Sequence, residues 1–144
     1  SNPGQAADVF GIPLPPDGSE DSAREACRQT ARQLCSRYGC RYVALTRRRS
    51  VSASDNDFSA MLYADGECFF SRSYSMHIVD RVGGGDSFVA GLIYALQKEF
   101  SYAQSIEFAA AASCLKHSIP GDACHTSAEE ILHLASGGGT LIQR

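Results

Sequence analysis

Tryptophan is absent from this 144-residue sequence, and proline is sparse at five. Nothing approaches the roughly twenty consecutive apolar residues that a membrane-crossing helix needs. Thirteen glycines with 44% hydrophobic and 20% charged residues exclude collagen, coiled coil and wholesale disorder. An excess of one charge is missing too: 13 basic against 16 acidic side chains leave a formal charge of −3. That offers no electrostatic footprint for nucleic acid or an anionic bilayer, so the expected partner is a small molecule. The start, Ser1-Asn2-Pro3-Gly4, has neither a basic nor an apolar leader pattern, and the chain is expected to be cytoplasmic. The cysteines at 27, 35, 40, 68, 114 and 124 form no Cys-x-x-Cys pair and have no histidine at zinc-ligand spacing. They are expected to be reduced and mostly packed, holding no metal. Neither a P-loop, a dinucleotide-binding Gly-x-Gly-x-x-Gly run nor an internal repeat is present. A chain of this length can bury roughly two thirds of its unfolded surface, enough for one core but not two.

What is present alternates helical and strand patterns. After Pro13, Pro15 and Pro16, Ser22-Ala-Arg-Glu25 has the form of a capping box opening a helix through Tyr38, which Gly39 stops. Tyr42–Thr46 reads as a buried strand feeding an Arg47-Arg48-Arg49-Ser50 loop. Asp65-Gly66 marks a hairpin between Phe58–Tyr63 and Glu67–Tyr74. Phe88, Val89, Leu92, Ile93 and Leu96 repeat at helical spacing through about Phe100. An alanine-rich helix spans about Tyr102–His117 and ends at Pro120-Gly121. Ser127-Ala-Glu-Glu130 caps a last helix, stopped by Gly137-Gly138-Gly139. Helix and strand in this order point to an α/β fold.

Gly83, Gly84 and Gly85 fall just before a helix, where bare backbone N–H groups and the positive end of the helix dipole make an anion site suited to phosphate. Asp86 follows directly. A carboxylate at the edge of a phosphate site suits phosphoryl transfer, taking the proton of an attacking hydroxyl while the N–H groups and a cation stabilise the transferring group. The alternative is a glycine turn with Asp86 as a helix N-cap.

The wider segment Asp80-Arg-Val-Gly-Gly-Gly-Asp-Ser-Phe-Val-Ala-Gly91 resembles the second signature of the ribokinase-like, PfkB-type sugar kinases. That signature reads Asp-Thr-x-Gly-Ala-Gly-Asp-x-Phe-x-x-Gly, and Arg81 and Gly84 depart from it. Val43-Ala-Leu-Thr-Arg, Ser-Ala-Met-Leu-Tyr63, Met76-His-Ile-Val-Asp-Arg-Val82 and Ala111-Ala-Ser-Cys-Leu-Lys-His-Ser-Ile-Pro-Gly-Asp122 are similar to the 2-keto-3-deoxygluconate kinase branch.

The resemblance implies a three-layer α/β/α fold and ATP with Mg2+ as cofactors. Asp86 would be the catalytic base and Gly83, Gly84 and Gly85 the anion hole. Thr46 and the loop after it, with Arg48, match the strand end that meets the nucleotide, although Arg48 stands where the family has glycine. An arginine there would touch an ATP phosphate or form part of a solvated turn. Ala110 and Gly121 fall where the family lines the adenine pocket, close helix packing being the other explanation. His117 would stack near adenine or complement the helix C-terminus. Asp122 matches a position near the sugar acid. Asn2-Pro-Gly-Gln5 occupies the place of a motif that serves magnesium, but Gln5 lacks the charge.

Only about the C-terminal half of an ordinary member is covered. Residues 1–144 are therefore expected to form one partial domain: the C-terminal portion of the core sheet with flanking helices and a hairpin, on the nucleotide side. With the sugar-binding half missing, the fragment is expected to be inactive alone and to pair with a copy of itself across an open sheet edge. A fructokinase or ribokinase, and a non-catalytic nucleotide-binding or assembly module, are the other readings.

Overall fold

The computed structural model describes residues 19–138. The proline-rich start, the Asn2–Gln5 segment and Gly139 lie outside them. Helix α1 (Glu20–Tyr38) opens at Ser19, whose side chain accepts from the Ser22 N–H, and closes at the left-handed Gly39, whose N–H reaches the Cys35 carbonyl. The cap thus lies three residues earlier than the Ser22 pattern suggests, because Glu20 and Asp21 already suit the first turn of a helix.

Strands β1 (Tyr42–Ser50) and β2 (Asp55–Ala64) are antiparallel and paired from Tyr42↔Ala64 to Ser50↔Asn56. Arg47, Arg48 and Arg49 therefore belong to β1, and the expected loop there is corrected to strand. Each has found a partner that lets it stay extended: Arg47 with Glu20 at 2.8 Å, Arg48 with His117 at 3.1 Å, and Arg49 with Asp57 at 2.6 Å. Strand β3 (Glu67–Phe70) follows a turn in which both Asp65 (φ 49) and Gly66 (φ 87) are left-handed, the geometry that suits a two-residue hairpin.

Strand β4 (Tyr74–His77) pairs with the same flank of β2 as β3 does, but out of step. Met61 faces Phe70 in one register and Phe58 faces Tyr74 in the other. Arg72 and Ser73 therefore stand opposite Ser59 alone, a one-residue bulge. It returns Tyr74 and Met76 to the face that Phe69 packs against. Ser71 helps bridge the break, its N–H donating to the Ala60 carbonyl and its hydroxyl accepting from the Ala60 N–H.

The sheet is buried on both faces, giving three layers. On one, Cys27, Ala31 and Leu34 of α1 pack on Val43, Leu45 and Met61. On the other, Phe58, Ala60, Leu62 and Ala64 pack on helix α3 (Tyr102–His117). Helix α2 (Gly84–Gln97) and helix α4 (Ala128–Ala135) lean against α3. The small residues along α3 have an immediate use: a Cβ on Gly91 of α2 would meet the Ala112 Cβ at 3.0 Å and the Ala109 Cα at 3.3 Å. In the β-bulge, Arg72 donates to Glu107 of α3 and to the Leu134 and Ala135 carbonyls of α4, fastening both helices to the sheet.

Among the described residues β1 has a strand on one side only. Val79, Val82, Val89 and Ile93 are each more than half exposed. No helix among the described residues is long and apolar enough to cross a membrane. Cys27 and Cys114 are buried, while Cys40 and Cys124 are exposed. Gly91→Leu is expected to force α2 off α3 and cost about 1–3 kcal/mol. A chemical-denaturation midpoint equal to the parent's would show that the close approach is not required.

Candidate active site

The glycine run does not precede α2 but forms its start. Gly83 is the N-cap, in a left-handed conformation (φ 78), and Gly84, Gly85 and Asp86 make up the first turn. This removes Asp86 as the N-cap; no side chain caps the helix. The first-turn N–H groups have no partner within the helix, as at any helix start.

The three glycines are glycines for different reasons. A Cβ on Gly83 would collide with the Asp122 carbonyl, and one on Gly84 would collide with the His117 ring. A Cβ on Gly85 would meet nothing within 4 Å. Two of the positions are therefore fixed by α3 and the loop that follows it, and the third faces open space.

Asp86 is exposed in that first turn. It lines a cleft of about 530 Å³ together with Gly83, Gly91, Asp122, Cys124 and Thr126. Of the residues singled out from the sequence, Asp86, Gly83 and Asp122 are thus brought to one place. Cys124 was not anticipated, because a lone cysteine carries no pattern. Hydrogen bonds with Thr126 and Ser87, and the Lys116 charge, outweigh burial and lower its thiol below the usual range.

The remaining candidates do not line this cleft. Ala110 is wholly buried in the core facing the sheet. Thr46 sits within β1 opposite Ala60. Gly121 (φ 83) is on the exposed loop after α3, its N–H donating to Asp80 Oδ2 at 2.8 Å. His117 is fully enclosed beneath Gly84.

Two groups tie that enclosed imidazole. Its Nδ1 lies 2.7 Å from the Ser113 carbonyl, and its Nε2 lies 3.1 Å from the Arg48 guanidinium. A carbonyl can only accept and a guanidinium can only donate, so both contacts form only with the neutral Nδ1–H tautomer. Burial lowers the His117 pKa below its ordinary 6.5, opposed by the Ser113 bond and reinforced by the charges of Arg48, Lys116 and Arg81. The His117 carbonyl accepts from the Val79 and Asp80 N–H groups, and the Ser113 hydroxyl donates to the Gly84 carbonyl at 2.9 Å. The end of α3 therefore holds both sides of the turn that leads into α2. Sequence reasoning missed Ser113, whose one legible sign is its four-residue spacing from His117.

A depressed folded-state pKa contributes stability that is fully present above the unfolded value and is lost as pH falls through the lower folded value. Acidification below about pH 6.5 is accordingly expected to lower the melting temperature, with a shallower decline in His117→Gln. Equal slopes in the two proteins between pH 7.5 and 5 would remove His117 as the source.

The description pfkB family carbohydrate kinase belongs to a family model that matches residues 51–127, more than half of the chain. No curated protein matches it. Among solved structures, a 2-dehydro-3-deoxygluconokinase from Thermotoga maritima is 45% identical, with a TM-score of 0.85, over 94% of this chain and 40% of that one. A PfkB family carbohydrate kinase from Listeria grayi is 29% identical, with a TM-score of 0.75 over the same shares. A provisionally named ribokinase II from Escherichia coli, in complex with ATP and Mg2+, is 20% identical at a TM-score of 0.61, over 93% of this chain and 37% of that one. At that identity the likeness is one of fold. The chain spans about 40% of the length of the first two relatives. With the ribokinase-like layers and the glycine turn in place, the family match has one meaning: this chain belongs to the pfkB family of carbohydrate kinases.

Proposed function

We propose that this chain is the C-terminal, nucleotide-side part of an ATP-dependent kinase. The complete enzyme transfers the γ-phosphoryl group to the terminal hydroxyl of 2-keto-3-deoxygluconate, giving the 6-phosphate. The observation that carries the reading is the relation of Asp86 to the glycine turn: an exposed carboxylate in the first turn of α2, next to the open face of Gly85. The 45% identity to the Thermotoga maritima enzyme supports the choice of sugar acid.

In this reading the free N–H groups of the first turn and the helix dipole receive the phosphate being transferred. Gly85 lets the backbone approach it without a side chain in between. Asp86 accepts the proton of the attacking hydroxyl as the bond to phosphorus forms. Asp122, on the same cleft, accepts a hydrogen bond from a sugar hydroxyl. Thr46, Arg48, Ala110, His117 and Gly121 shape the nucleotide side rather than the reacting centre, with His117 acting from beneath through Gly84.

Magnesium would supply charge neutralisation on the phosphates. Among the described residues no three carboxylate, histidine or cysteine side chains gather into a metal cage.

Orienting the sugar and excluding water need the portion of the relatives that this chain does not span. The isolated chain is accordingly expected to be inactive. The same short span favours one rival, a binding or assembly module that holds nucleotide without transferring phosphate.

The deciding assay is ADP release from magnesium-ATP with 2-keto-3-deoxygluconate, run on this chain and on a version extended to full family length. Turnover only in the extended enzyme, falling about 10²–10⁴-fold in Asp86→Asn, is the expected result. Asp86→Asn turnover equal to the parent's would remove Asp86 as the base. Faster turnover on fructose or ribose would reassign the sugar. Nucleotide binding without transfer in the extended enzyme would establish the module.

A further inference from the structure

Lys116 is the largest fully buried side chain among the described residues, and none of its surface is exposed. An ammonium ion removed from water is costly unless its hydrogen atoms are satisfied. Here it donates to the Ile119 carbonyl at 3.0 Å and to the Gly121 carbonyl at 2.6 Å. Both belong to the loop that follows α3, where the helix has ended and carbonyl oxygens lack helical donors.

The Asp80 carboxylate stands over the same loop. Its Oδ1 accepts from the Val82 N–H at 3.0 Å and its Oδ2 from the Gly121 N–H at 2.8 Å. These bonds, with the nearby Lys116 charge, hold the Asp80 carboxyl below its usual range. The Lys116 stem passes beside the helix cap: a Cβ on Gly83 would lie 3.2 Å from the Lys116 Cε. Carbonyl oxygens backed by a carboxylate are the donors a hard cation takes.

We propose that the Lys116 ammonium is a built-in monovalent cation. It fills the carbonyl cage of Ile119 and Gly121, binds the 118–122 loop to the Asp80–Gly83 turn, and so makes this wall of the Asp86 cleft indifferent to dissolved potassium. Lys116 is a positioning residue, acting on the cleft through the loop that carries Asp122. None of this depends on the kinase reading.

The test is thermal unfolding of this chain and of Lys116→Ala in potassium, ammonium or choline chloride at one ionic strength, so that general screening is equal. The parent is expected to melt within about 1 °C in all three salts. Lys116→Ala is expected to melt about 5 °C or more lower in choline and to recover in potassium or ammonium, which fit the emptied cage. Lys116→Met, which keeps the stem and leaves no room for an ion, is expected to fall without recovery.

A parent stabilised specifically by potassium would overturn the proposal, because the cage would then be open to an external ion. So would a Lys116→Ala protein that melts like the parent, or one that melts lower and responds equally to all three salts. If neither variant folds, the salt response of the parent decides.

Discussion

The approach of the α3 C-terminus to the glycine turn is the constraint on which the candidate site rests. His117 occupies the volume a side chain at Gly84 would need, and Ser113 holds the Gly84 carbonyl from the same helix. The His117 carbonyl also fastens the incoming segment after β4 at Val79 and Asp80. The entry to α2 is thus clamped from behind, leaving its front free. Preorganisation of this kind is useful where charge develops, because the donors need not move when it appears.

The clamp is in turn seated on the sheet. Phe58 of β2 lies against both Phe88 of α2 and His117 of α3, with ring centroids 6.3 Å apart in each case. Arg48 reaches His117 from β1 because β1 stays extended past Thr46. The arginine run therefore connects sheet to helix as well as facing solvent: one of the three turns inward, while Arg47 and Arg49 pair with acidic groups near the surface. Alternation along a strand accounts for the division, since neighbouring side chains point to opposite faces.

Much of the architecture was legible because it rests on local chemistry. Gly39, Asp65-Gly66 and Ser127 with Glu130 each encode a stop, a turn or a cap within a few residues. The extension of β1 through Arg47–Arg49 was not legible, because it depends on Glu20, His117 and Asp57, distant in sequence. The start of α2 was misjudged for a related reason: glycines inside a first turn make sense only once His117 and the Asp122 carbonyl are seen pressing on them. At the site, the spacing of Gly83 and Asp86 was readable. The enclosure of His117 was not, since a histidine ending a helix reads equally well as exposed or buried, and Lys116 carried no signal that separates it from a surface lysine.

The bulge at Arg72 and Ser73 has a bearing on how this segment can change in length. β3 and β4 read the two faces of the sheet in opposite phase, and the extra residue is what reconciles them. Losing that one residue would leave Tyr74 opposite Phe58 in an unbroken ladder, whereas losing two would turn Ser75 and His77 inward and expel Tyr74 and Met76. Descendants of this sequence should therefore tolerate loss of the bulge residue at this point but not of a second beside it, as if the strand carried its own reading frame.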